Sequence, residues 1–194
     1  MHLILVRHGE TEWSRTGQHT GTTDLDLVQE GRAQAEALIP IIRRALDGVH
    51  AGAVYTSPLK RAVETAELAT MASDIRKCDL LRECAYGAYE GLSPSAVREI
   101  RPGWDFWRDG CPEGENAASL GARADKFLAS RTEREDPVIA FSHGHMIRVL
   151  AARALGLDAV QGQLFTLSTA SVSVIKDVRN KRVIALWNQT ADIS

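Results

Sequence analysis

The first apolar run of the chain, LILV at 3–6, leads directly into Arg7, His8 and Gly9. Its length and its Leu, Ile and Val content predict a buried strand over 2–7. Residues 14–26 mix Gly, Thr, Ser and Asp without a period and read as a loop. Over 27–46, Ala35, Leu38, Ile42 and Leu46 fall on or near one helical face, and Pro40 inside that pattern predicts a kink or break. The period then changes. Residues 53–56 read as a strand, Ser57 as an N-cap, Pro58 as the first helical residue, and the helix runs to about Ala72. A short strand is predicted over 75–81. An irregular stretch follows from 83 to 116, with a short helix near 94–101 and a longer helix over 117–131. PVIAFSHG reads as a buried strand ending at Ser142, followed by a helix over 144–155 that stops at Gly156. ASVSVIKDV and RVIALW form a strand pair whose turn, Val178–Arg182, contains Asn180.

This alternation of strands and helices predicts an α/β fold: a three-layer α/β/α sandwich with a mainly parallel sheet and an antiparallel edge strand. The 194 residues suit one domain over 1–194, with a lid-like segment at about 84–116. Hydrophobic residues make up 44% and charged residues 25%, an ordinary globular balance. A net charge of −2 offers no basic field for nucleic acid or an anionic membrane. Met1 leads straight into the first strand, with no leader or long apolar stretch, so a cytoplasmic protein is expected. Cys78, Cys84 and Cys111 are odd in number and lack CxxC spacing, which reads as reduced thiols.

In a parallel sheet the strand ends share one rim, and ligands bind there. Arg7-His8-Gly9 would end the first strand, and Thr56-Ser57 the second, with Arg61 in the following turn. Ser142-His143-Gly144 and His145 would end a later one. Two guanidinium forks match a tetrahedral oxyanion, and helix N-termini add N–H donors, so the expected occupant is a phosphoryl group. Two histidines imply chemistry as well as binding. A neutral imidazole can attack phosphorus, and a protonated one can share the charge on the equatorial oxygens. Which histidine does which stays open on these grounds. Glu83 is the best-placed carboxyl to protonate the leaving alcohol and then activate water.

Four stretches in this order, LVRHGETEWS at 5–14, TSPLKRAVETA at 56–66, LRECAYGAYEGL at 81–92 and FSHGHMIR at 141–148, resemble the histidine phosphatase, or phosphoglycerate mutase-like, superfamily. The resemblance implies a phosphorylated nucleophile at His8. It places Arg7, Arg61 and His143 around the phosphoryl group and makes Glu83 the proton donor, with no metal or organic cofactor. HGETEWSRTGQHTGTTDLDL, YGAYEGL and FWRDGCPEGEN look like the branch containing sedoheptulose- and fructose-bisphosphatase-like enzymes and acid phosphatases. The compact stretch between Glu83 and His143 has no room for the insert found in mutases, which favours hydrolysis over phosphoglycerate mutase activity. Ser14 stands where many members carry Asn, and Cys84 departs from the bulky or acidic residue common after the acid.

The expected ligand is a small phosphorylated metabolite such as a sugar phosphate or bisphosphate. Ser14, Thr20, Gly21, Gly144, His145 and Arg108 are expected to join the arginines and His143 in holding it, with His19 at the rim. Trp104, Phe106 and Trp107 read either as a hydrophobic plug or as a lid whose Arg98, Arg101 or Arg108 reaches a second phosphate. His143 and His145 as a metal pair would need two further ligands that the sequence does not indicate. His2 and His50 read as incidental. A non-catalytic phospholigand-binding module would need neither His8 nor Glu83. A homodimer is compatible with the sequence, since two-fold association is common.

Overall fold

The computed structural model describes residues 1–132 and 135–191. Strands β1 (His2–Arg7), β2 (Ala53–Thr56), β3 (Ile75–Lys77), β4 (Val138–Ser142), β5 (Ser171–Val178) and β6 (Lys181–Thr190) form one sheet in the order β3-β2-β4-β1-β5-β6. The first four are mutually parallel, and β5 runs antiparallel to β1. The antiparallel strand therefore lies one position in from the edge, and β6 forms the edge itself.

The parallel strands β1, β2 and β4 are buried on both faces, which is why they read as apolar runs. Leu3, Leu5, Val138 and Ala140 pack against α7 (Ala117–Ser130) and α8 (Gly144–Ala154) through Leu120, Phe127, Ile147 and Leu150. Their sequence neighbours Ile4, Val6, Ile139 and Phe141 face the other layer, α2 (Gln29–Ala37), α3 (Ile39–Ala45) and α4 (Lys60–Ala69), and meet Leu38, Ile42 and Ala66. Three layers result.

Several boundaries follow from local chemistry. Pro40 breaks the predicted 27–46 helix into α2 and α3, because it has no N–H to continue the ladder and instead sits in the first turn of α3. Gly156, with φ +79°, ends α8 as expected, donating its N–H to the carbonyl of Arg153 at 3.0 Å. Arg179 and Asn180 both adopt positive φ in the two-residue turn between β5 and β6.

Other boundaries depart from expectation. The loop at 14–26 begins inside a short helix, α1 (Glu12–Thr16), started by a capping box between Thr11 and Ser14. Ser57 does not cap α4. That helix begins three residues later, and its first N–H is taken by Asp24 Oδ1 at 2.8 Å across from the preceding loop. β3 is shorter than predicted, and residues 79–81 form a 3-10 turn. The irregular segment holds α5 (Pro94–Ile100) and also α6 (Phe106–Asp109), which Asp105 caps. Trp104 and Phe106 are buried there and Trp107 is half-buried, so the aromatic cluster is packed into the core on the α7–α8 side.

Candidate active site

β2, β4 and β1 are neighbours, so their C-terminal ends meet on one rim with β4 in the middle. Strand spacing of about 4.8 Å puts all three ends within about 10 Å. The ladder runs one residue past each strand: His8 N–H donates to the Ser142 carbonyl at 3.1 Å, and Ser57 N–H to the Phe141 carbonyl at 2.9 Å. Gly9 follows because its backbone lies against Gly31 of α2, where an added Cβ would sit 2.3 Å from the Gly31 oxygen. Gly9 N–H donates to Thr65 Oγ1 at 3.0 Å, tying the β1 end to α4.

The two imidazoles face each other, with ring centroids 5.1 Å apart. His8 Nδ1 lies 2.7 Å from the Gly9 carbonyl oxygen, which only accepts, so Nδ1 carries the proton and Nε2 keeps its lone pair. Burial, then Arg61 and Arg7, holds the His8 pKa well below its ordinary value. His143 is fully buried. Its Nδ1 accepts from Arg61 Nε at 3.2 Å, and its Nε2 lies 2.8 Å from Ser57 Oγ. The His143 proton therefore sits on Nε2 and the ring is neutral. Burial and Arg61 push its pKa well down. Two nearby guanidiniums and the lack of solvent disfavour a second cation at this ring.

Arg61 is 0% exposed. Nη1 donates to the Thr23 carbonyl at 2.9 Å, and Nη2 to those of Thr20 and Gly21 at 3.0 and 3.2 Å. With the bond to His143, four of its five N–H groups are engaged, and one on Nη1 remains. Glu90 grips the same loop from the other side, its Oε1 accepting from Gly21 N–H at 2.8 Å and Thr23 N–H at 3.0 Å. Thr20 and Gly21 thus reach the site through their carbonyl oxygens, which hold Arg61. The Gly21 N–H is given to Glu90.

Arg7 donates from Nη1 to the Leu167 carbonyl at 2.6 Å, while its buried Nε has no partner among the described residues. Gly144 makes room beside it: a Cβ there would lie 3.6 Å from Arg7 Cζ and 3.5 Å from Glu83 Oε2. The Glu83 carboxyl is buried, 7% exposed, against the N-terminus of α8. Oε1 accepts from Cys84 N–H at 2.9 Å and Met146 N–H at 3.0 Å, and Oε2 accepts from His145 N–H at 3.0 Å. One lone pair is left, on Oε2.

The histidines at 143 and 145 do not form a metal pair. Both nitrogens of His143 are occupied, and His145 Nδ1 bonds Tyr86 OH at 2.7 Å. Among the described residues no three metal-binding side chains converge. His145 sits in an aromatic wall, with Phe106 at 4.1 Å and Trp107 at 5.1 Å between centroids. His19 stacks on Tyr86 at 4.4 Å, and burial lowers its pKa to about 4.

Two expected contacts are corrected. The Ser14 hydroxyl is spent inside the capping box, accepting from Thr11 N–H at 2.8 Å and donating to the Thr11 carbonyl at 3.0 Å. Arg108 points to solvent with its side chain 66% exposed, pairing with Asp109. Arg101 also pairs with Asp109, and Arg98 is exposed. The arginine near the aromatic wall is instead Arg148, whose guanidinium lies 4.6 Å from the Trp107 ring centre. Arg148 stood inside the FSHGHMIR stretch, but nothing in its spacing marked it. Ser57, Glu90 and Arg148 were missed as site residues.

A sheet rim carrying two facing histidines, two arginines and a capped carboxyl defines the class, and sequence comparison agrees. The histidine phosphatase superfamily (branch 1) model matches residues 3–190, and the chain belongs to that family. It is 37% identical over 191 residues to an acid phosphatase of Mycobacterium tuberculosis, across 97% of this chain and 92% of that protein. It is 34% identical over 182 residues to a sedoheptulose 1,7-bisphosphatase of Saccharomyces cerevisiae, across 79% and 67%. A solved structure of an open reading frame product from Mycobacterium tuberculosis superposes with a TM-score of 0.89 at 36% identity, covering 97% of both chains.

Proposed function

We propose that the chain is a phosphohydrolase of small phosphomonoesters, sugar phosphates or bisphosphates among them, working through a phosphohistidine on His8. The observation that carries this reading is the state of His8: a neutral ring pinned through Nδ1, with its Nε2 lone pair beside His143 and two guanidiniums. Nε2 attacks phosphorus and the N–P bond forms as the bond to the leaving oxygen breaks. Glu83 Oε2 gives its proton to that oxygen. Water then enters and loses a proton to the Glu83 carboxylate. Its oxygen attacks phosphorus, and the N–P bond breaks to release phosphate and restore both groups.

Arg7 Nε and the remaining Arg61 N–H are the free donors for the phosphoryl oxygens, and the His143 Nε2–H joins them when it turns from Ser57 Oγ. A dianion among these groups favours protonation of His143. This chemistry asks for no metal or organic cofactor. Residues 84–116, with the aromatic wall, would cover the leaving group as a lid. A cytoplasmic location is supported by the free thiols of Cys78, Cys84 and Cys111. Among the described residues no helix is long and apolar enough to cross a membrane.

The test is phosphate release from a panel of phosphorylated metabolites, with His8→Ala as control. His8→Ala should lose turnover and the base-stable phosphohistidine seen by mass spectrometry, yet still bind inorganic phosphate. Turnover kept by His8→Ala would refute the mechanism. Interconversion of 2- and 3-phosphoglycerate without phosphate release would make the protein a mutase.

A further inference from the structure

Glu83 lies on a loop between two 3-10 turns, Asp79–Leu81 and Gly87–Tyr89. A proton donor on irregular backbone has no helix or strand of its own to fix it, and misplacement by about 1 Å can cost about 100-fold in rate. The carboxyl itself is held by the α8 N–H groups. Its backbone is held from elsewhere.

Arg123, on α7, gives all five of its N–H groups to this job. Nη1 donates to the carbonyls of Leu80 at 3.0 Å and Arg82 at 2.8 Å, and Nη2 to the carbonyl of Glu83 at 3.1 Å. Nε and the second Nη2 hydrogen bind Glu115 as a fork, at 2.8 and 2.9 Å. Glu115 continues the clamp: Oε2 accepts from Ala85 N–H at 2.9 Å, and its own N–H donates to the Ala85 carbonyl at 2.7 Å. Residues 80, 82, 83 and 85 are thus tied to α7 through one planar cation and its carboxylate partner. A lysine offers three donors from one point and cannot span these acceptors.

We propose that Arg123, with Glu115, is a positioning residue for proton transfer: it sets the loop so that the Glu83 carboxyl meets the leaving-group oxygen. The inference rests on the proton-donor reading of Glu83. A clamp serving only the fold would affect all substrates alike. A clamp serving proton transfer matters most where the leaving group needs a proton.

The experiment compares kcat/KM, which covers the first phosphoryl transfer, for an alkyl phosphate and for 2,4-dinitrophenyl phosphate. Arg123→Lys is expected to lower the alkyl value by about 10- to 100-fold and the dinitrophenyl value by less than about 3-fold. Glu83→Gln should show the same contrast more strongly. Glu115→Gln, which keeps the side-chain shape, should show it more weakly and carries the test if Arg123→Lys does not fold. Equal losses on both substrates in the clamp variants, with the contrast intact in Glu83→Gln, would overturn the role of Arg123. Absence of the contrast in Glu83→Gln itself would overturn the proton-donor reading and the inference with it.

Discussion

Arg61→Met isolates what the buried guanidinium does. Methionine fills similar space without charge or donors. Arg61 donates four hydrogen bonds, and two of them, to the Gly21 carbonyl and to His143 Nδ1, are fully buried. The Thr20 and Thr23 carbonyls are reached by part-buried bonds, and water can replace the donor there. Each buried acceptor left unpaired costs about 1–3 kcal/mol, so the loss is about 2–6 kcal/mol. Relief from burying a lone cation offsets part of it, leaving about 2–4 kcal/mol against a typical total of about 5–15 kcal/mol. Urea unfolding followed by circular dichroism measures this as a lower midpoint at unchanged slope. Inorganic phosphate provides a second reading. At about 100 times its dissociation constant a ligand stabilises by about 2.7 kcal/mol, and the variant should lose most of that gain. A wild-type midpoint together with undiminished stabilisation by phosphate would show that Arg61 holds neither the loop nor the anion.

Acid should destabilise the protein through its buried histidines. Burial lowers the folded-state pKa of His8, His19, His143 and His145, so the unfolded chain takes up protons as pH falls through about 6.5 while the folded chain does not. This stability is complete above pH 6.5 and is lost toward the folded values, and His19 alone accounts for about 3 kcal/mol by pH 4. Urea midpoints at about pH 7 and pH 5 should differ, by less in His19→Gln, and equal wild-type midpoints would contradict the burial account. Ser14→Ala should cost about 1 kcal/mol through the lost capping box and leave KM for phosphomonoesters unchanged. A clear rise in KM would mean that the hydroxyl contacts substrate after all.

Much of the fold was legible because it is written in local pattern. Continuous apolar runs mark strands buried on both faces, and Pro40, Gly156 and Asn180 punctuate the chain by their own backbone chemistry. The apparent exceptions share a cause. Ser57 has the look of an N-cap, but Asp24, from a distant loop, caps α4 instead, and the freed hydroxyl meets His143. Ser14 reads as a pocket residue from its place in the family-like stretch, but the Thr11–Ser14 capping box that starts α1 takes its hydroxyl.

By itself the sequence determined that Arg7, His8, Arg61 and His143 stand at strand ends or just beyond them, and that some carboxyl after the third strand could join them. Tertiary structure alone decided what each atom does. The sheet order sets β4 between β1 and β2, and only that adjacency brings His143 between Arg61 and Ser57 and so selects its tautomer. The clamp of Arg123 on residues 80–85 spans some forty positions, as does that of Arg61 on residues 20–23. Hydrogen bonds depend on distance and direction in space, and a chain records neither for residues that far apart.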